Sequence, residues 1–316
     1  MRRTIVYAVG FLIGVMSWQL QARDLNDSKT ADDQSAQQQT PPRGALYRVS
    51  QQGQQGHVAW LFGTIHVGKP AFYPLEPRVM RAFTESNKLL IEVDMRDTAT
   101  LLAAVQKYGM YGEGDALDKH ISADTLRRLQ QALNKQGLSI DAAARMKPTM
   151  AANMLALAAY TQAGYEATLG TDMYLMTLAT NQGKAVAGLE SADYQFSLFD
   201  NLSATQQEQY LRETLDELKS GKSKRQMRAL LDAWGNADTK KIDALMADML
   251  AEKTVAADFT RRILLAQRNH TMSEKIATLL QTDDKIFVAV GLLHLVGKEG
   301  VPALLRARGY TVEKIY

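Results

Sequence analysis

Two histidines occupy the same short setting at opposite ends of the chain. "FGTIHVGK" (62–69) and "AVGLLHLVGK" (289–298) each follow an apolar run with a glycine, two further residues and a histidine. The glycine permits a tight turn and close approach of the backbone to another group. A neutral imidazole at such a turn can bind a metal or move a proton. His66 and His294 are therefore the first candidates for chemistry. Glu92 sits in the otherwise apolar "LLIEVDM" (89–95), and Glu190 ends "VAGLES" (186–191). A buried carboxylate needs a cation, a metal or hydrogen-bond donors. His66 and His294 with one or two carboxylates, Glu92 and Glu190, and no thiol make a hard-to-borderline metal set. Each residue also has a plainer reading. A core histidine can bond a backbone carbonyl, and Glu92 can pair with Arg78, Arg81 or Lys88, which shows no function. Asp94 is the weaker candidate. His57, His120 and His270 lie in polar surroundings and are expected at the surface.

The elements that must position these residues are legible from periodicity. "ALYRVS" and "HVAWLFGTI" read as strands about the turn-like "QQGQQG", and the second is apolar on both faces near its end. "EPRVMRAFTES" has helical spacing, and "KLLIEVDM" (88–95) reads as a further strand. From about Thr98 to Arg268 the pattern is mainly helical, with glycines closing successive helices. "KAVAGLES" (184–191) interrupts it as a short apolar strand. Helices are expected at 203–219, 223–235, 238–251 and 253–282. The tail then repeats strand, Gly-x-x-His, helix, strand. The expected fold is α/β (α+β), a central mixed sheet built from two pseudo-repeated units, with a helical middle at about 97–282. In open α/β sheets ligands bind at the C-terminal strand ends, where both histidines would lie.

Composition excludes several classes. The chain has 316 residues, 46% of them hydrophobic, and no cysteine. Thiol nucleophiles, disulfides and cysteine zinc sites are ruled out. The net charge is only +3. The basic run from Lys219 to Arg228 is short, with Trp234 as its one nearby aromatic. It reads as a solvated helix face, and no nucleic-acid binding is expected. No His-Glu-x-x-His helix and no Gly-x-Ser-x-Gly elbow is present. Arg2 and Arg3 precede the apolar stretch 4–18, which reads as a signal peptide cut near Ala22. An uncleaved anchor is the alternative, although the stretch is short for a span. The expected organisation is a signal peptide at 1–22, a polar disordered linker at 23–43 and one domain at 44–316. A periplasmic or secreted location follows, with no integral membrane domain once the signal is removed.

Along about 45–316 the sequence resembles the TraB/GumN family, which is related to the Tiki proteins. The resemblance rests on "WLFGTIHVG", "LLIEVDM", "GTDMYLMTLATNQGKAVAGLES", "QRNHTMSEKI" and the tail from "VAVGLLHLVGKEG" onward, in that order. It implies two Gly-x-x-His motifs with an acidic residue on the strand after the first, here His66, His294 and Glu92. It further implies roles for Glu190 and for the pair Arg268 and Asn269. Tiki-type members are regarded as metal-dependent proteases preferring manganese or cobalt to zinc. The wider group includes erythromycin-esterase-like and haem-uptake-like folds, so the resemblance supports a site more firmly than a reaction. The expected function is a periplasmic metal-dependent hydrolase cutting peptide or protein substrates. Glu92 would be third ligand or general base, Glu190 the alternative base, and Arg268 would steady a carboxylate or oxyanion. The competing reading from another class is a non-catalytic binding or assembly protein with a ligand groove among its helices, such as 203–219. Metal-free hydrolysis of an ester or another non-peptide bond by a histidine base is a third.

Overall fold

A computed structural model describes residues 40–51, 57–282 and 285–316. The expected signal peptide, nearly all of the linker and residues 52–56 of the "QQGQQG" turn lie outside the described residues. Among the described residues no helix is long and apolar enough to cross a membrane. Pro42 and Arg43 are already tied down: Pro42 O accepts from Glu76 N, and Arg43 N donates to Gly235 O.

One six-stranded mixed sheet organises the molecule. Its strands are β1 (Ala45–Ser50), β2 (Val58–Thr64), β3 (Lys88–Ile91), β4 (Ala185–Gly188), β5 (Lys285–Gly291) and β6 (Thr311–Lys314), in the order β4-β3-β5-β2-β1-β6. The four strands β4, β3, β5 and β2 run parallel, while β1 is antiparallel to both its neighbours. The parallel centre explains the apolar runs, because strands covered on both faces need no polar alternation. Phe62, Leu89, Phe287 and Val288 are fully buried there.

The two repeated units have the expected layout with two differences. Neither crossover joins neighbours: β5 lies between β2 and β3, and two strands separate β5 from β6. The repeat is also offset by one residue, since Gly291 pairs with Thr64 while Gly63 pairs with Val290. Strand β3 ends at Ile91, so Glu92 lies just past the strand in which it was expected.

The helices follow the sequence pattern closely. They are α1 (Pro77–Glu85), α2 (Thr98–Ala104), α3 (Ala123–Lys135), α4 (Pro148–Gln162), α5 (Thr171–Asn181), α6 (Ala192–Ser197), α7 (Ala204–Ser220), α8 (Lys222–Gly235), α9 (Thr239–Leu250), α10 (Val255–Phe259), α11 (Arg268–Leu279) and α12 (Val301–Ala307). Side chains of Asp, Ser or Thr cap α2, α3, α6, α7, α9 and α10, satisfying first-turn N–H groups. The helix expected at 253–282 is instead α10, a wide π-helical stretch at Thr260–Gln267, and α11. The short helix α6, unrecognised in the sequence, follows β4 and carries Gln195 to the sheet edge.

Candidate active site

The C-terminal ends of the four parallel strands form one edge, and chemistry-bearing residues follow each of them. His66 follows β2, Glu92 follows β3, Glu190 follows β4, and His294 lies in the 3-10 turn Leu292–Leu295 after β5. Arg268 and Asn269 enter from the start of α11. The structure brings all six sequence candidates into one polar cluster. Glu92, Glu190, Arg268, Asn269 and His294 are buried, with Arg268 and His294 at 0% and 1% exposure.

Arg268 is the hub. Its Nε donates to both Glu190 oxygens at 3.0 Å, and its Nη2 donates to Glu92 Oε2 at 2.9 Å and Glu190 Oε2 at 2.6 Å. Its Nη1 reaches Leu264 O at 3.1 Å and His294 Nε2 at 3.1 Å. The planar fork suits two carboxylates in a way a lysine could not. Leu264 belongs to the π-helical stretch, so that irregular turn supplies a carbonyl to the guanidinium; such turns recur at functional sites. Glu92 thus pairs with Arg268, and not with Arg78, Arg81 or Lys88 as the plainer reading had it.

The network also fixes the His294 tautomer. Asn269 Nδ2 donates to Glu299 O, which turns its Oδ1 toward His294 Nδ1. Nδ1 therefore carries the proton, and Nε2 accepts from Arg268. Burial and the neighbouring guanidinium hold the His294 pKa well below the ordinary imidazole value. His66 is pushed the other way. Burial alone would lower its pKa. The charge and hydrogen bond of Asp172, 3.2 Å from Nδ1, with help from Glu92, outweigh burial and Arg268 and leave it raised. The cluster thus holds one neutral histidine and one that readily takes a proton, the separation expected of a site with assigned acid–base roles.

The glycines of the two motifs let them interlock. A Cβ on Gly63 would stand 2.9 Å from a Leu292 methyl in the second motif. A Cβ on Gly291 would stand 3.0 Å from Glu92 Oε1, 3.2 Å from His66 Nε2 and 3.7 Å from the His294 ring. That one point is where both imidazoles and a carboxylate converge. Gly291 N also donates to Glu92 Oε1, which pins the carboxylate.

Asp172 and Gln195 were missed in the sequence. Thr171 and Asp172 open α5 and grip the first motif. Thr171 Oγ1 accepts from Ile65 N at 2.8 Å and donates to Ile65 O at 3.2 Å, while Asp172 holds the His66 ring. Gly170 makes this approach possible, since a Cβ there would lie 2.9 Å from the His66 carbonyl. Gln195 donates to Glu190 Oε2 at 2.8 Å and to Glu92 Oε2 at 3.4 Å. The one available signal was "GTD" after an apolar helix, a glycine ahead of two capping-type residues. Gln195 gave none. Among the remaining histidines, His120 and His270 are exposed as expected. His57 is half-buried, with its ring on Leu280 O at 2.9 Å.

The three-donor metal centre expected from the sequence does not fit this arrangement. His294 Nδ1–H on Asn269 is the support a metal-bound histidine usually has. Its Nε2, however, faces an Arg268 N–H, and a guanidinium there repels a cation. Among the described residues no group of three or more His, Asp or Glu is placed to hold a metal ion. His66 and Glu92 still approach a common point, and Asp172 Oδ1 is buried without a hydrogen-bond partner among the described residues.

A parallel α/β edge with paired Gly-x-x-His turns around a buried Glu-Arg-Glu bridge defines the class. Residues 45–314 match the TraB/PrgY/gumN family, and the chain belongs to it. It is 25% identical over 246 residues to the uncharacterized protein YbaP of Escherichia coli K12, covering 78% of this chain and 87% of YbaP. It is also 25% identical over 302 residues to the metalloprotease TIKI2 of Xenopus tropicalis, covering 81% of this chain but 57% of TIKI2. No solved structure matches significantly.

Proposed function

We propose that the chain is a hydrolase that cuts peptide bonds at the cluster beside Gly291. The observation that carries this reading is the approach of His66 Nε2, Glu92 Oε1 and the His294 ring to one point within 4 Å. The similarity to a protein named a metalloprotease supports the reaction class. In this reading His66 takes a proton from water at Nε2, and Asp172 holds the ring and steadies the imidazolium. Glu92 Oε1, fixed by Gly291 N, orients the water. Neutral His294, locked between Asn269 and Arg268, shapes the other wall. Arg268 is buried and engaged with both glutamates, so of the two expected roles, steadying a carboxylate or an oxyanion, this reading assigns it the first. An open cleft of about 540 Å³ lies beside the end of β4, lined by Glu190, Tyr194, Thr271 and Lys275.

The test is cleavage of a peptide library by the purified chain, with added Mn²⁺ or Co²⁺, with chelator, and with neither. Cleavage lost by at least about 100-fold in His66→Ala and in Glu92→Gln is the expected result, as for removal of a general base. Chelator sensitivity would assign a divalent ion to the His66 and Glu92 side and require Arg268 to withdraw from His294. Tight peptide binding without turnover would replace this reading with the non-catalytic one. The apolar stretch 4–18 supports export, with the domain at 44–316 acting outside the cytoplasm. N-terminal sequencing of the mature protein checks that, and an intact Met1 in a soluble cytoplasmic fraction would refute it.

A further inference from the structure

A second feature lies among the helices, away from the strand edge. A groove of about 660 Å³ runs between α3, α4, α7 and α8, within the size range of ligand pockets. Its floor is apolar, made by Ala132, Tyr160, Leu215, Leu218 and Met227. Its rim is cationic on both sides: Arg127, Arg128 and Lys135 on α3 face Lys219 and Lys224 on α7 and α8, with Asp124 the one acid in the lining. Arg127 is held by Asp124 and Arg128 by Asp216, whereas Lys135, Lys219 and Lys224 make no ion pair among the described residues. Gln136 Oε1, also in the lining, is buried and lacks a donor among the described residues. The basic run that the sequence presents as a solvated face therefore borders a concave, partly apolar surface.

We propose that this groove binds a short acidic peptide segment, seating an apolar side chain on the Leu215 and Met227 floor between flanking carboxylates. Cations on both rims call for negative charge at more than one position, which a single-headed anion does not supply. The Gln136 acceptor suits a backbone N–H, and the volume suits a few extended residues better than a helix. Complementary charge of this kind sets on-rate and specificity and weakens with salt.

The probe is a fluorescein-labelled pentapeptide with glutamates around a central leucine, compared with its glutamine counterpart by anisotropy on the full chain. The expected result is saturable binding of the acidic peptide at low salt. The dissociation constant should rise about tenfold or more in the Lys135→Glu, Lys219→Glu, Lys224→Glu variant, as for charge reversal across an interface. Arg261→Glu with Arg262→Glu, on another face, should leave it unchanged. All these side chains are exposed, so thermal melts should coincide with that of the parent protein. No binding of the acidic peptide, equal binding of the glutamine peptide, or indifference to the triple reversal would each overturn the proposal. So would lysine-dependent cosedimentation with phosphatidylglycerol vesicles in the absence of peptide binding, which would assign the surface to membrane.

Discussion

At the scale of single residues, the cluster joins groups whose protonation tendencies are set apart by their neighbours. Asp172 raises the proton affinity of His66, so in the proposed reaction a His66 base would act only above a pKa higher than an ordinary imidazole's. Asp172→Asn should therefore move the acid limb of the pH–rate profile to lower pH while reducing kcat, and an unmoved limb would remove Asp172 from this role. His294 has the opposite sign. Its folded pKa is depressed, so its share of stability is complete above the ordinary imidazole range and is lost progressively as pH falls from that range toward the lower folded pKa. Urea midpoints at about pH 7.5 and about pH 5 should differ less in His294→Gln than in the parent protein, the two settings bracketing the usual histidine value. Arg268→Met leaves Glu92 and Glu190 buried without their cation and should cost about 3–5 kcal/mol, read by denaturant unfolding. Glu92, Glu190 and the two histidines were legible because ionisable residues stand out just after apolar strands. Asp172 and Gln195 were not, because a polar residue near a helix start looks the same whether it caps, faces solvent or holds a buried polar group. Arg268 was legible only through the family pattern: nothing in "AQRNH" distinguishes a fully buried arginine from an exposed one.

At the scale of elements, precision comes from close backbone approaches and irregular helix turns. Gly68 pairs with Glu166 across an isolated antiparallel bridge, and a Cβ on Gly68 would stand 1.8 Å from Leu169 O. That contact sets α5 against the first motif, so Gly68→Ala should push Thr171 and Asp172 away from Ile65 and His66. A loss of about 3 kcal/mol, the upper range for overpacking, is expected in thermal or urea unfolding. Trp234 of α8 is fully buried and donates its Nε1–H to Gly63 O at 2.8 Å. Trp234→Phe removes that donor, and about 1–3 kcal/mol of stability should go with it. The strand and helix pattern was readable because 2.0 and 3.6 periodicities mark faces in the sequence. The π-helical stretch at Thr260–Gln267 was not, since a one-residue widening of the turn leaves an apolar pattern still compatible with one long helix.

At the scale of the whole molecule, the site depends on a sheet assembled from both ends of the chain. Sequential strands usually lie side by side, yet β2 and β3 are held apart by β5 from the far end. The pairing of the two Gly-x-x-His turns was suggested by their repetition, but the order β4-β3-β5-β2-β1-β6 was not, because side-chain periodicity carries no information on which strand is inserted where. Gly291→Ala offers a probe at this scale, since it leaves every strand pairing intact while placing a methyl in the gap where both ends meet. Cleavage should fall by at least about 100-fold, as when a reacting group is misplaced by an ångström, with far-UV dichroism unchanged. The insertion of β5 has one further consequence. A growing polypeptide still on the ribosome cannot bring His66, Glu92 and His294 to one point until Lys285–Gly291 has been translated and inserted between β2 and β3. Whatever chemistry the assembled cluster performs is thus withheld from every nascent copy in which residue 294 has yet to emerge.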